Sequence, residues 1–301
     1  MELELIKWLR TESGMELLGD DAVEFDGKIF TVDMLTEGID FILSETDPEL
    51  IGRKSLAVNL SDIAAMGAVP EAALIAISLP HNNSNKNLSL AKKLYSGMKP
   101  LLEKYNVKII GGDTNCWNNG LVVSITVIGS ILPKGVFKRS GAKSGDTIFT
   151  TGELGGSILK HQFLFEPRIF EAIYLNENYS IHAAIDISDG LAIDLHRIAN
   201  ESKLGATLYS ELIPISQDAI ICSKTSGRPP INHALADGED FELILAIPQE
   251  ETKKIIETQP LLNRFGTKLF PIGKFTDNHE MIIVNPDGTT NTLKPIGFEH
   301  K

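Results

Sequence analysis

Apolar positions along the chain recur with two different periods. Over residues 88–105 (LSLAKKLYSGMKPLLEKY) they return every three or four residues, which predicts an amphipathic helix with a local irregularity at Pro100. The run Val107-Lys-Ile-Ile-Gly-Gly-Asp that follows is short, β-branched and ends in glycines, so it predicts a strand opening into a tight loop. Residues 121–132 (LVVSITVIGSIL) and 72–79, the latter bounded by Pro70 and Pro80, predict two more strands. Residues 52–66 predict a helix with Gly67 as its C-terminal cap. From 133 to 146 the chain turns polar and glycine-containing, and the domain boundary is placed there. Beyond it, strands are expected at 147–151 and 241–247 and helices at 192–202 and 250–258. There is no repeat of fixed period and no low-complexity tract. The fold class expected is α+β (mixed α/β) in two domains, 1–138 and 139–301.

Composition narrows the function classes. The 301 residues include 40 acidic and 28 basic side chains, a net charge of −12, with 43% hydrophobic residues. That profile is globular, and its charge disfavours general nucleic-acid binding. A small phosphorylated ligand stays compatible provided cations stand between it and the protein. Cys116 and Cys222 lie far apart and form neither a disulfide framework nor a cysteine zinc site. The first residues lack the pattern of a signal peptide, and the apolar stretches are too short to cross a bilayer, so a cytoplasmic protein with no membrane partner is expected.

Acids recur in six short segments, which the sequence alone places at strand ends and glycine turns: Gly19-Asp20-Asp21, Thr31-Val32-Asp33, Asn59-Leu60-Ser61-Asp62, Gly111-Gly112-Asp113-Thr114, Asp186-Ile187-Ser188-Asp189-Gly190 and Asp237-Gly238-Glu239-Asp240. One acid beside a glycine is ordinarily a turn residue or helix cap, and Asp189 suits the N-cap of the helix after Gly190. Six such segments, several with two acids within one turn, call for a cation or proton to relieve repulsion. Carboxylates interleaved with Ser and Thr suit a hard dication, magnesium above all, and the scattered histidines make zinc a poor match. No phosphate-binding P-loop, dinucleotide fingerprint or protein-kinase catalytic loop occurs.

The ordered set GDDA (19–22), TVDMLTEGIDF (31–41), AVNLSDIAAMGAVP (57–70), GGDTN (111–115), RSGAKSGD (139–146), DISDGLAIDL (186–195) and DGEDFEL (237–243) resembles the thiamine-monophosphate kinases. That family belongs to the ATP-binding superfamily of aminoimidazole ribonucleotide synthetase and selenophosphate synthetase. The resemblance implies an N-terminal α/β domain whose strands join those of a second copy in a dimeric barrel, followed by an α+β C-terminal domain. It implies direct transfer of the γ-phosphoryl of ATP to thiamine monophosphate, with several Mg2+ ions and a homodimer. Asp21, Thr31, Asp33, Asp62, Asp113, Asp186 and Asp189 match magnesium ligands. Tyr95, Gly112, Arg139 and Ser188 match ATP contacts, and Asp40, Glu239 and Phe298 match contacts to the thiamine phosphate. No side chain is assigned as a catalytic base, because a phosphate acceptor is already ionised near neutral pH.

Without the resemblance, Arg139 reads as a solvated arginine, Tyr95 as a packing aromatic of its helix and Phe298 as a plug at a core edge. The segment HQFLFEPR, with His161 and Arg168, matches only in a shifted register and is left unassigned. Asp40 stands where the family usually carries histidine, exchanging a donor for an acceptor and adding charge. Val32 and Asn115 replace threonines, and the stretch between 156 and 186 is shortened. Two alternatives stay open: a related ATP-dependent enzyme with another small phosphorylated or amide substrate, and a non-catalytic nucleotide-binding dimer.

Overall fold

Two mixed sheets, one from each half of the chain, sandwich a single buried helix. The computed structural model describes residues 2–12, 19–81 and 84–298. The first sheet contains β1 (Val23–Phe25), β2 (Lys28–Thr36), β3 (Val69–Pro80), β4 (Lys108–Trp117) and β5 (Val122–Ser130) in the order β1-β2-β5-β3-β4. Only β3 and β4 are parallel; the other pairs are antiparallel. The helices of this half are α1 (Glu2–Glu12), α2 (Pro48–Ala65) and α3 (Ser84–Tyr105). No regular element lies between Ser130 and Thr147, where the chain crosses to the second sheet.

That sheet contains β6 (Thr147–Thr151), β7 (Ala183–Asp186), β8 (Gly205–Tyr209), β9 (Leu243–Ile247), β10 (Leu269–Thr276), β11 (Met281–Val284) and β12 (Thr290–Thr292), ordered β12-β11-β8-β10-β6-β9-β7. Its helices are α4 (His161–Leu164), α5 (Ile169–Asn178), α6 (Leu191–Ser202), α7 (Gln217–Ser226), α8 (Pro230–Ala236), α9 (Gln249–Thr258) and α10 (Pro260–Phe265). Strand β9 (LILAI) is buried along its whole length because both faces are covered. Leu243 and Leu245 join the core that contains α2, while Ile244 and Ala246 join a second core with Leu195 and Ile198 of α6.

Helix α2 is the structural centre. Asp47 caps its start through Glu49 N, Pro48 occupies the first turn, and Gly67 ends it with φ +60°. It packs on α3, β2 and β5 on one side and on α4, α5 and β7 on the other. A helix enclosed on both sides has no solvent face, so the polar side chains it carries beside its apolar and small residues must find partners inside the protein. Gly52 of α2 and Gly97 of α3 let the two backbones touch: a Cβ at Gly52 would run into the Leu94 carbonyl, and one at Gly97 into the Glu49 carbonyl.

The elements expected from periodicity are present, with longer bounds for the first-sheet strand and helix around 72–79 and 88–105; α3 continues through Pro100. The expected loop at Gly111-Gly112-Asp113 does not form. These residues run straight through β4, paired in register with Leu74, Ile75 and Ala76 of β3. Glycines that signal a turn are here needed for proximity, since a Cβ at Gly112 would strike the Ile75 carbonyl.

Candidate functional site

The acids converge on a cavity of about 520 Å³ between the halves. Three of the six acidic segments do not sit at the strand ends or turns that the sequence suggested: Thr31 and Asp33 lie mid-strand on β2, Asp113 lies mid-strand on β4, and Asp62 lies on α2. The alternation of β2 turns Thr31 and Asp33 toward α2, while Val32 and Met34 point outward. The Thr31 hydroxyl donates to Asp62 Oδ2, and Asp33 N donates to Asn59 Oδ1 at 3.1 Å.

At its centre Asp21, from the loop before β1, meets Asp62 of α2 and Asp186 at the end of β7. One oxygen from each lies within 4.8 Å of the others. Burial pushes Asp62 well above the usual carboxylate range, and Asp33, Asp186 and Asp21 push it further. Burial also raises Asp186, with Asp21 adding to it, while the Ser61 hydroxyl, donating at 2.5 Å, opposes the rise. Asp21 Oδ1 accepts from Arg139 Nη2 at 2.7 Å, but Asp21 Oδ2 is buried without a partner. Three clustered carboxylates with an orphaned oxygen form the oxygen-rich donor set that a hard dication prefers.

Around this centre, Asp33, Arg139, Ser188 and Asp189 line the cavity. Burial lowers the Arg139 guanidinium, but Asp21 outweighs that and holds it firmly charged. Asp189 is not the N-cap of α6. Its carboxylate pairs with Arg197 instead, and Asp194, one turn into the helix, accepts from both Asp189 N and Gly190 N at 3.0 Å. Burial raises Asp194 to about 7, against the pull of Arg197.

Asp40, Glu239 and Phe298 line the same cavity. Asp40 Oδ2 accepts from Thr36 N at 2.6 Å, so half of its carboxylate closes the turn after β2. Glu239 stands in a left-handed conformation (φ +56°), its N–H bonded to Ser188 O at 2.7 Å. Phe298 is 47% exposed, so it forms a wall of the cavity and does not plug a core.

Tyr95, Gly112 and Asp113 are not brought to this cavity within the chain. Tyr95 packs against the core from α3, and burial raises its hydroxyl pKa. Asp113 lies on β4, separated from β2 by β5 and β3, hence roughly 14 Å away across the sheet.

Sequence reasoning overlooked several residues of the site. Asn59, Ser61 and Lys54 of α2 are buried and bonded to site elements, and Arg197 and Asp194 brace Asp189. The signal was present: polar residues distributed around an otherwise apolar helix mark interior polar contacts. Arg168, left unassigned, pairs with buried Glu242 and Glu171 and is a structural clamp.

Comparison with known proteins fits this arrangement. The family model for AIR synthase related protein, N-terminal domain, matches residues 19–131, and that for AIR synthase related protein, C-terminal domain, matches 137–285. Thiamine-monophosphate kinase of Rhodopirellula baltica is 39% identical over 269 residues, 85% of this chain and 82% of that protein. The Bacillus subtilis thiamine-monophosphate kinase is 32% identical over 314 residues, 94% and 92% of the two chains. Among solved structures, AaThiL complexed with AMPPCP and TMP matches with a TM-score of 0.85 at 26% identity, covering 100% of this chain and 97% of that one. Hydrogenase maturation protein HypE, 18% identical with a TM-score of 0.75, shares the fold. With its acids gathered as the motifs require and these relatives spanning most of its length, the chain belongs to the thiamine-monophosphate kinase family.

Proposed function

We propose that this protein transfers the γ-phosphoryl group of ATP directly to thiamine monophosphate, giving thiamine diphosphate and ADP. The observation that carries the reading is the buried Asp21–Asp62–Asp186 cluster with its orphaned oxygen, facing a cavity between the halves. The two ligands together bring about six negative charges to an anionic protein. Asp21, Asp62 and Asp186 would hold magnesium, with Thr31, Asp33 and Asp189 as further oxygen donors. Bound there, magnesium would supply the positive charge that offsets the phosphate oxygens of the two ligands.

The chain's own residues do the rest. Arg139 and Ser188 orient the nucleotide phosphates, and among the described residues Arg139 brings its guanidinium into contact with the acid cluster. Asp40 and Glu239 favour the cationic thiazolium ring over a neutral analogue, and Phe298 offers an aromatic face to it. No side chain needs to remove a proton, because the attacking phosphate oxygen is already ionised. We assign 1–138 to nucleotide and metal binding and dimerisation, and 139–301 to completing the site. ATP supply makes the cytoplasm the compartment.

We also assign a homodimer built on the first sheet. Every residue of β4 is exposed although it is a ten-residue strand containing Ile109, Ile110 and Trp117. Val32, Met34 and Leu74 are exposed on the same sheet. An open apolar edge and face of this kind are supportive of strand pairing with a second copy. In such a dimer Asp113, Gly112 and Tyr95 would serve the partner's cavity, which reconciles their distance from their own.

The test is direct. Purified protein with Mg-ATP and thiamine monophosphate should give thiamine diphosphate and ADP in equal amounts. Folded protein that releases no thiamine diphosphate would overturn the substrate; ADP release with another acceptor in a screen would identify the related enzyme instead.

A further inference from the structure

Lys54 is fully buried, one of the largest side chains in the protein to be so. An isolated ammonium in such a place is prohibitively costly, so its partners define its role. Lys54 Nζ donates to Asp40 O at 3.0 Å, to Gln162 Oε1 at 2.8 Å and to Glu239 Oε1 at 2.5 Å. Those three acceptors match the three N–H bonds of the ammonium. They come from the turn after β2, from α4 and from the loop before β9, so one cation ties three separate elements to α2.

Two of the three partners are the acids assigned to the acceptor substrate. Glu239 sits on a loop in which Gly238, Glu239 and Phe241 all have positive φ, a conformation needing outside support. With Oε1 committed to Lys54, recognition of a ligand by Glu239 falls to Oε2. The Asp40 carbonyl is held by the same ammonium while its carboxylate closes the turn. Asp62, at the other end of the site, lies eight residues further along the same helix, roughly 12 Å at 1.5 Å per residue. Helix α2 therefore acts as a ruler between the acid pair and the carboxylate cluster.

We propose that Lys54 is a positioning residue for the acceptor: by fixing Glu239 and the Asp40 turn on α2, it sets where the cationic ring of the phosphorylated acceptor lies relative to the acid cluster that receives its phosphate. This rests on the functional reading above, with Glu239 touching the acceptor and Lys54 acting through it. Gln162 then shares the ammonium and limits how far it leans toward Glu239.

The test combines Lys54→Met, Glu239→Gln and the double variant, with KM measured separately for thiamine monophosphate and ATP. Lys54→Met should raise KM for thiamine monophosphate at least tenfold while KM for ATP stays within about twofold. The double variant should be no worse than the poorer single one, because the lysine acts through the glutamate. Equal rises in both KM values, or effects of the two substitutions that multiply, would overturn the proposal in favour of a purely structural lysine. Should Lys54→Met not fold, Gln162→Glu offers the ammonium a competing carboxylate; it should raise KM for thiamine monophosphate several-fold, and an unchanged KM would overturn the proposal. A wild type that makes no thiamine diphosphate defeats the functional reading instead. The lysine is then read from melting temperatures of the same cycle: coupled shifts support the Glu239 tether, and additive shifts overturn it.

Discussion

Replacing Asp62 by asparagine should stabilise the metal-free protein while destroying its activity. Two carboxylate oxygens within 4.8 Å of one another repel by about 3.5 kcal/mol or more at an effective dielectric of 20, and three such pairs reach at least about 10 kcal/mol. That is comparable to the whole stability of a typical protein. Asp62 and Asp186 are accordingly raised by burial and by their neighbours, holding protons in the metal-free state at pH values where a free carboxylate is ionised. Protonation limits the cost: at pH 8 a carboxyl kept neutral costs about 1.4 kcal/mol per unit above its free pKa, so about 6 kcal/mol at most. The substituted amide would still accept from the Thr31 hydroxyl and would remove two of the three repulsions. A net gain of about 1–3 kcal/mol follows, or a melting temperature about 2–6 °C higher in EDTA at pH 8.

Magnesium should separate the two proteins in the opposite direction. Saturating ion at a hundred times its dissociation constant stabilises wild type by about 2.7 kcal/mol. The variant should show almost none of this shift, and its kcat should fall at least about a hundredfold, the equivalent of about 3 kcal/mol of lost charge stabilisation. Scanning calorimetry with and without Mg2+, alongside steady-state turnover, reads all three quantities. A lower melting temperature in EDTA together with an intact magnesium shift would refute the reasoning, because the cluster would then be neither repulsive nor metal-binding.

Three further outcomes are expected. Asp62, Asp186 and Asp194 bind protons more tightly folded than unfolded, so metal-free stability should be greatest near pH 4 and fall as pH rises, Asp194 alone accounting for up to about 4 kcal/mol by the time pH passes 7; a melting temperature in EDTA that rises from pH 5 to 8 would contradict this. Gly97→Ala should destabilise by about 2–4 kcal/mol in urea titrations, since its Cβ would strike the Glu49 carbonyl where α2 and α3 touch; a cost below about 1 kcal/mol would mean the helices separate freely. Asp113→Asn should cut turnover at least tenfold without altering the melting temperature, and mixing it with Asp62→Asn should restore activity in the hybrid dimers that carry one intact cavity. Absence of any recovery would place Asp113 outside the shared site.

Local patterns made most of the fold legible. The α3 and β5 segments announced themselves by period, because burial of one face leaves a regular imprint on sequence, and Gly67 marked where α2 ends. The acids were legible as a group for a different reason: so many carboxylates at close spacing have no other use for their repulsion. What was misread was where they sit. Gly111-Gly112 has the composition of a turn, but Gly112 serves the close approach of β3 and β4, and only the pairing partner distinguishes the two uses. Asp189 has the position of an N-cap, but Asp194 one turn later takes both backbone N–H groups, a competition between two acids that sequence order does not rank.

Lys54 shows why the remainder was hidden. Its partners lie 14, 108 and 185 positions away in sequence, on Asp40, Gln162 and Glu239, so no local window contains them. A lysine in a helix is ordinarily read as a solvated face, and that reading fails only where both sides of the helix are covered. The sign of that coverage lies in α2 itself: at about 100° per residue, Arg53, Lys54, Asn59, Ser61 and Asp62 spread over roughly 240° of the helix, so no rotation leaves them all in water. They must then be satisfied inside the protein, and the groups available there are the acids and backbone atoms of the other segments. Enclosing a polar helix between two sheets thus accounts at once for the buried carboxylates, for the lysine that steadies the opposite end of the cavity, and for a site that needs both halves of the chain.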